Sequence, residues 1–231
     1  MPDVDATTHG DPVKAAADRV LGSAILRERA DRLDRLATWI SEFPEFGDQR
    51  CNRRAVSAAA RFYDAWCAES VTREGANPLA AMLRPPSEAQ RERAADIAEN
   101  ALRGVVDPST SETTAAAIRA AGIRDATLPE ARIVAEAVSL DATGPIWLCA
   151  ELARCVHQDR AVASLVAIWE RHVEYGYWPK RIEETLRLGR TRELARYRCA
   201  AVDAFFRALR DQLTSGDRHV SRAESPTQSG P

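Results

Sequence analysis

Apolar positions recur along this chain at three- and four-residue intervals almost throughout and seldom alternate singly. That is the period of a helix face, whereas a half-buried strand needs period two, so the pattern predicts an all-α protein. The first helix is predicted over 12–41. Val20, Ala24, Leu33, Leu36, Ala37 and Ile40 form its stripe, and Phe43-Pro44-Glu45-Phe46-Gly47 ends it. A second helix is predicted over 53–69, with Ala55, Ala59, Phe62 and Trp66 on one face. Pro85-Pro86 closes a loop. Ser87 and Gln90 then have capping-box spacing, and Gly104 stops the helix they open. Ser109 and Glu112 read as a second box, starting a short helix to Ala121. Thr127 reads as a third cap, with Pro129 in the first turn, where its missing N–H costs nothing, and Glu130 reaching back. That helix is predicted to end near Leu140. Further helices are predicted over 145–157, 159–175 (broken by Gly176) and 191–213. No internal repeat is visible.

The flanks are different. Residues 1–11 and 214–231 are rich in Ser, Thr, Pro, Gly and Asp, a composition that cannot bury enough apolar surface to offset ordering entropy; both are expected to be disordered. Between them 12–213 reads as one helical domain, its core over about 24–141 and a C-terminal helical extension over 142–213. With 45% hydrophobic residues the chain can build a real core. A net charge of −2 provides no global basic field for nucleic acid or anionic membrane. Arg outnumbers Lys 30 to 2, which reads as the coding bias of a GC-rich genome. Five cysteines, an odd number without C-x-x-C spacing, argue against a disulfide framework and for a reducing compartment. The polar N-terminus has no signal-peptide pattern, and no uncharged apolar stretch approaches the ~20 residues that span a bilayer. The expected location is the cytoplasm.

Two stretches carry chemistry. One is Ala60-Arg61-Phe62-Tyr63-Asp64-Ala65-Trp66; the other runs over 128–141 and contains Glu130-Ala131, Glu136-Ala137 and Leu140-Asp141. Together they resemble the HD-domain superfamily of metal-dependent phosphohydrolases. That family uses an early His, a His-Asp pair and a distant Asp in a stretch of the form E-A-x-x-x-x-D-A-x-x-L-D. The resemblance covers about 24–141, and the remainder looks like the helical C-terminal portion of some bacterial HD proteins. It implies an HD-domain-like helical bundle in which most metal ligands are replaced. The His-Asp pair reads Tyr63-Asp64, the distant Asp reads Glu136, and the early His reads Arg29. A phenol with pKa ~10 is a poor ligand at neutral pH, and a guanidinium stays protonated. Asp64 alone is unchanged; with Glu136 it could at most hold Mg²⁺ weakly through water. Arg29 is expected to lie among Asp64 and Glu136 as an organic substitute for the metal charge, or else on a solvated face beside Arg27, Arg32 and Arg35.

Other candidates are weaker. Asp141 precedes Thr143-Gly144-Pro145 and reads as a turn residue bonding backbone amides. Cys149, Cys155 and His157 fall on different helix faces, against a shared metal. Ser57, Ser70 and Ser139 lack a His-acid pattern. The stretch 180–198 has seven basic and three acidic residues flanked by Tyr177, Trp178 and Tyr197. Stacking and phosphate contacts would suit a nucleic-acid reader, but Glu183, Glu184 and Glu193 fit helix-surface ion pairs equally well.

The reading is therefore a degenerate, non-catalytic HD-domain protein: a pseudoenzyme acting as a binding or regulatory module for a protein or a phosphorylated small molecule. No cofactor is expected. The alternative is a weakly active phosphohydrolase on a phosphorylated small molecule or nucleotide, with Mg, Mn or Fe on Asp64 and Glu136 and Arg29 as the anion-binding residue that holds phosphate. The third is a helical nucleic-acid-binding protein.

Overall fold

A computed structural model describes residues 11–47, 51–74, 78 and 84–214. Among them the chain is all-α, as predicted, with no strand and one isolated bridge between Arg103 and Val106. The helices are α1 (Pro12–Leu21), α2 (Ala24–Ser41), α3 (Pro44–Gly47), α4 (Arg53–Phe62), α5 (Ala65–Glu74), α6 (Glu88–Leu102), α7 (Pro108–Ala120), α8 (Pro129–Asp141), α9 (Pro145–His157), α10 (Ala163–Glu174), α11 (Tyr177–Thr185) and α12 (Gly189–Leu213). The flanks expected to be disordered lie outside the described residues, apart from Asp11, which caps α1, and Thr214, which closes α12.

The first predicted helix is two. Gly22 takes φ +62°, a conformation L side chains avoid, and turns the chain between α1 and α2. The second is also divided: a turn at Tyr63-Asp64 separates α4 from α5. Ser87 and Gln90 form the predicted capping box. The cap of α7 is Asp107, accepting from Thr110 N, rather than Ser109. Leu128, not Thr127, precedes α8 and makes no side-chain cap; Glu130 instead accepts from Asn52 N at 2.6 Å, tying the starts of α8 and α4 together. Asp159, at φ 51°, delays α10 to Ala163. Helix α11 falls in the stretch read only for its charge.

Two cores result. In the N-terminal bundle α2 and α4 pack against α7 and α8, with α6 covering α7. Leu33, Ile40, Phe62, Leu102, Ile118 and Ile133 are fully buried there. Val13, Ala16, Ala17 and Leu21 of α1 join the same core, which therefore begins before residue 24. The second core lies within α9–α12 and is aromatic. Trp147, Trp169, Trp178 and Phe206 pack with ring centroids 5.0–6.1 Å apart. A smaller seam of Leu140, Ile182, Leu186 and Ala195 joins the halves.

Candidate functional site

Helix α2 presents Arg29 and Arg32 one turn apart toward the interior. The α4–α5 turn supplies Tyr63 and Asp64, and the last residue of α8 supplies Asp141. Arg29 is 4% exposed, so it is not the solvated face residue of the alternative reading. Its Nε lies 3.1 Å from Asp64 Oδ2 and 3.5 Å from Asp141 Oδ2. Arg32 Nε donates to Asp141 Oδ1 at 3.0 Å and Arg32 Nη1 to Glu28 at 3.0 Å. Two guanidinium groups thus face two buried carboxylates. Burial pushes the Asp64 carboxyl up, as does the charge of Asp141, while Arg29 and Arg32 pull it down. Burial, reinforced by the charge of Asp64, likewise raises the Tyr63 phenol, which stays protonated.

Two expectations are corrected here. Asp141 is not a turn residue bonding amides; it is the second acid of the Arg29 cluster. Glu136 is not an ion-pair partner of Arg29. Its carboxylate accepts from Arg187 N at 3.0 Å and Leu188 N at 3.0 Å, and hydrogen-bonds the Thr191 hydroxyl. Those groups are the start of α12, whose preceding residue Leu188 makes no side-chain cap. Glu136 therefore caps a helix in the other half of the protein, where a carboxylate meets unpaired amides and the positive end of the dipole.

Arg29, Tyr63 and Glu136 all line one cavity of ≈ 380 Å³ between the N-terminal bundle and α11. Its walls include seven arginines against two glutamates, Glu136 and Glu184. Arg91 is fixed there by Pro86 O at 2.7 Å and Arg119 O at 3.2 Å. Its guanidinium lies over Gly122, where any Cβ would come within 2.3 Å. Arg132 sits over the Phe46 ring at 5.3 Å. Arg29 Nε and Nη1 and Arg181 Nε are buried without a hydrogen-bond acceptor, Arg29 Nε meeting its acids as an ion pair only. The sequence reading missed the arginine-lined cavity, because its arginines are scattered between positions 29 and 187 and each looks like a surface residue by itself.

The residues do not fit a divalent cation. Arg29 and Arg32 already occupy the carboxylates of Asp64 and Asp141, and amides and a hydroxyl occupy Glu136. No group of three or more His, Cys, Asp or Glu among the described residues could hold a metal. Cys149 and His157 are exposed and Cys155 is buried, on different sides of α9. Beside the 180–198 stretch Trp178 is core, and within it Glu183 pairs with Arg192 at 3.2 Å and with Arg196 at 2.5 Å. A further cluster escaped the sequence reading. Arg61 bridges Asp31 at 2.6 Å and Asp34 at 2.5 Å, and Lys14 reaches Asp31 at 2.6 Å, fastening α1, α2 and α4. The i,i+3 spacing of the two aspartates was its only sequence signal. Burial raises Asp31, but hydrogen bonds from Lys14 and Arg61 outweigh that and hold its carboxyl below the ordinary value.

Fold and site together define an all-α protein with an arginine-lined cavity at the seam of two helical cores. Among solved structures, the crystal structure of Bacillus subtilis YpgQ is similar, with a TM-score of 0.55 and 17% identity over 87% of this chain and 94% of that one. That likeness is one of fold. No protein-family model matches the chain, and no curated protein does.

Proposed function

We propose that the protein is a non-catalytic binding module built on an HD-like helical bundle, and that its cavity receives a phosphorylated small molecule. A cytoplasmic setting in a bacterium suits this reading, since all five cysteines are free and no single helix among the described residues is long and apolar enough to cross a membrane. One observation carries the proposal: Arg29, at the position where the resembling family has a metal-binding His, is buried beside Asp64 and Asp141 with Nε and Nη1 making no hydrogen bond, and it is one of seven arginines that line a single cavity. A planar guanidinium fork matches phosphate oxygens, and the pairing strengthens where water is excluded. The positive charge that a metal would supply comes from the chain itself.

The test pairs metal analysis with anion binding. The purified protein is incubated with Mn²⁺, Fe²⁺ or Mg²⁺, and its metal content is measured by mass spectrometry. Thermal unfolding is then followed with inorganic phosphate against chloride at equal ionic strength. No retained metal, with stabilisation by phosphate, is the expected result. A stoichiometric metal that is lost in Asp64→Ala would sink the proposal in favour of a metal-dependent phosphohydrolase.

A further inference from the structure

We infer that α11 is a pH-responsive wall of the cavity, released from the aromatic core when His172 on α10 takes up a proton. What the cavity receives does not enter this inference. Helix α11 contributes Arg181, Glu184 and Thr185 to the cavity wall. Its first residue, Tyr177, follows Gly176, whose left-handed conformation (φ +60°) turns the chain out of α10. The Tyr177 ring stacks on the His172 imidazole at 4.4 Å, 19° from parallel. Trp147 and Trp178 close around the same imidazole at 5.5 and 5.9 Å. Of the nine residues of α11 only Trp178 and Ile182 are buried, so the stacking on His172 is a large part of what holds its first turn.

These surroundings accept a neutral ring and penalise a charged one. His172 Nδ1 is buried and makes no hydrogen bond. Protonation makes both ring nitrogens donors, so Nδ1 becomes a charged donor without an acceptor. Among the described residues three cations face the ring: Arg154 from α9, Arg171 from α10 and Arg181 from α11. Glu151 of α9 opposes them, but its Oε2 already accepts from Arg154 Nε at 2.9 Å. Asp203 of α12 is bound to Trp169 Nε1 at 3.1 Å and to Arg207. A cation over an aromatic face is ordinarily attracted. Here the Arg181 guanidinium already lies 5.9 Å from the centre of the Tyr177 ring, and Arg181 Nη1 donates to its hydroxyl at 2.9 Å. A charged His172 therefore presses against a ring that already carries a cation. Burial and the three arginines outweigh Glu151 and hold the imidazole below its ordinary value. The released form binds the proton more readily, so falling pH favours release.

Backbone hydrogen exchange of the full chain tests this, read by mass spectrometry at about pH 7.5 and about pH 5.5 and corrected for the intrinsic pH dependence of exchange. Protection of α11 is expected to fall several-fold at the lower pH while that of α4 is unchanged. In His172→Phe, which keeps a ring against Tyr177 and takes up no proton, α11 protection should be the same at both. His172→Gln, neutral at both, serves if the phenylalanine variant does not fold. Three results would overturn the inference: equal α11 protection at the two pH values in the wild-type protein, a loss that persists in a folded His172 variant, or a matching loss in α4. None of them bears on metal or phosphate binding, which test the binding-module reading.

Discussion

Arg29 shows how far a buried charge depends on what surrounds it. A buried guanidinium is tolerated only where carboxylates meet it, and Asp64 and Asp141 do so. Arg29→Ala leaves Asp64 without its partner in a dry site, whereas Asp141 keeps Arg32. We expect a loss of about 3–5 kcal/mol in urea unfolding, and a neutral result would mean that the pair contributes nothing. Glu136→Gln tests the second reassignment. The amide keeps the size but offers one accepting oxygen and no charge to the amides of Arg187 and Leu188. A cost of about 1–3 kcal/mol is expected, without loss of the Arg29 cluster. The resemblance pointed to residues 29, 63, 64 and 136, and all but Asp64 line the cavity. It could not tell that Glu136 points away to α12, because one extra methylene changes reach and not pattern.

At the scale of elements, periodicity located most helices but ran α1 into α2 and α4 into α5, and it missed α3 and α11. A stripe does not reveal a break such as Gly22, where backbone conformation decides, nor that Asp107 wins the cap of α7 over Ser109. The aromatic contacts of α9–α11 carry a pH signature. His172 on α10 stacks on Tyr177 at 4.4 Å and meets Trp147 at 5.5 Å. Burial, together with Arg171, Arg154 and Arg181, holds its imidazole below the ordinary 6.5 against the opposing pull of Glu151. The unfolded chain therefore binds this proton more readily than the folded one. Stability from this group is complete above about pH 6.5 and is lost as pH falls toward the lowered folded value. His172→Phe should flatten that decline when tryptophan fluorescence follows unfolding across a pH series. An unchanged profile would place the titration elsewhere.

For the whole molecule, the seam is the part that matters most. The cavity exists only because α11 and the start of α12 dock on the N-terminal bundle, through Leu140, Ile182, Leu186 and Ala195 and through the cap that Glu136 provides. Ile182→Ala removes a fully buried side chain there and should cost about 2–5 kcal/mol. Hydrogen exchange should show α11 opening before α4, because α4 draws its burial from the larger core. Simultaneous opening of both would mean that the two cores unfold as one unit.

The sequence by itself determined the all-α class, because helix periodicity is written into the spacing of apolar residues and needs no partner to be read. Residue type also fixes what a side chain can coordinate, so the guanidinium of Arg29 and the phenol of Tyr63 are poor metal ligands wherever the fold places them. Only the tertiary structure decided which charges meet. Arg29, Asp64 and Asp141 come from three separate segments, and Asp141 looked like a local turn residue until α2 was folded against it. The cavity was invisible for the same reason. An arginine's role depends on which acids lie nearby, and proximity between distant segments is a property of the packed fold rather than of any stretch of chain.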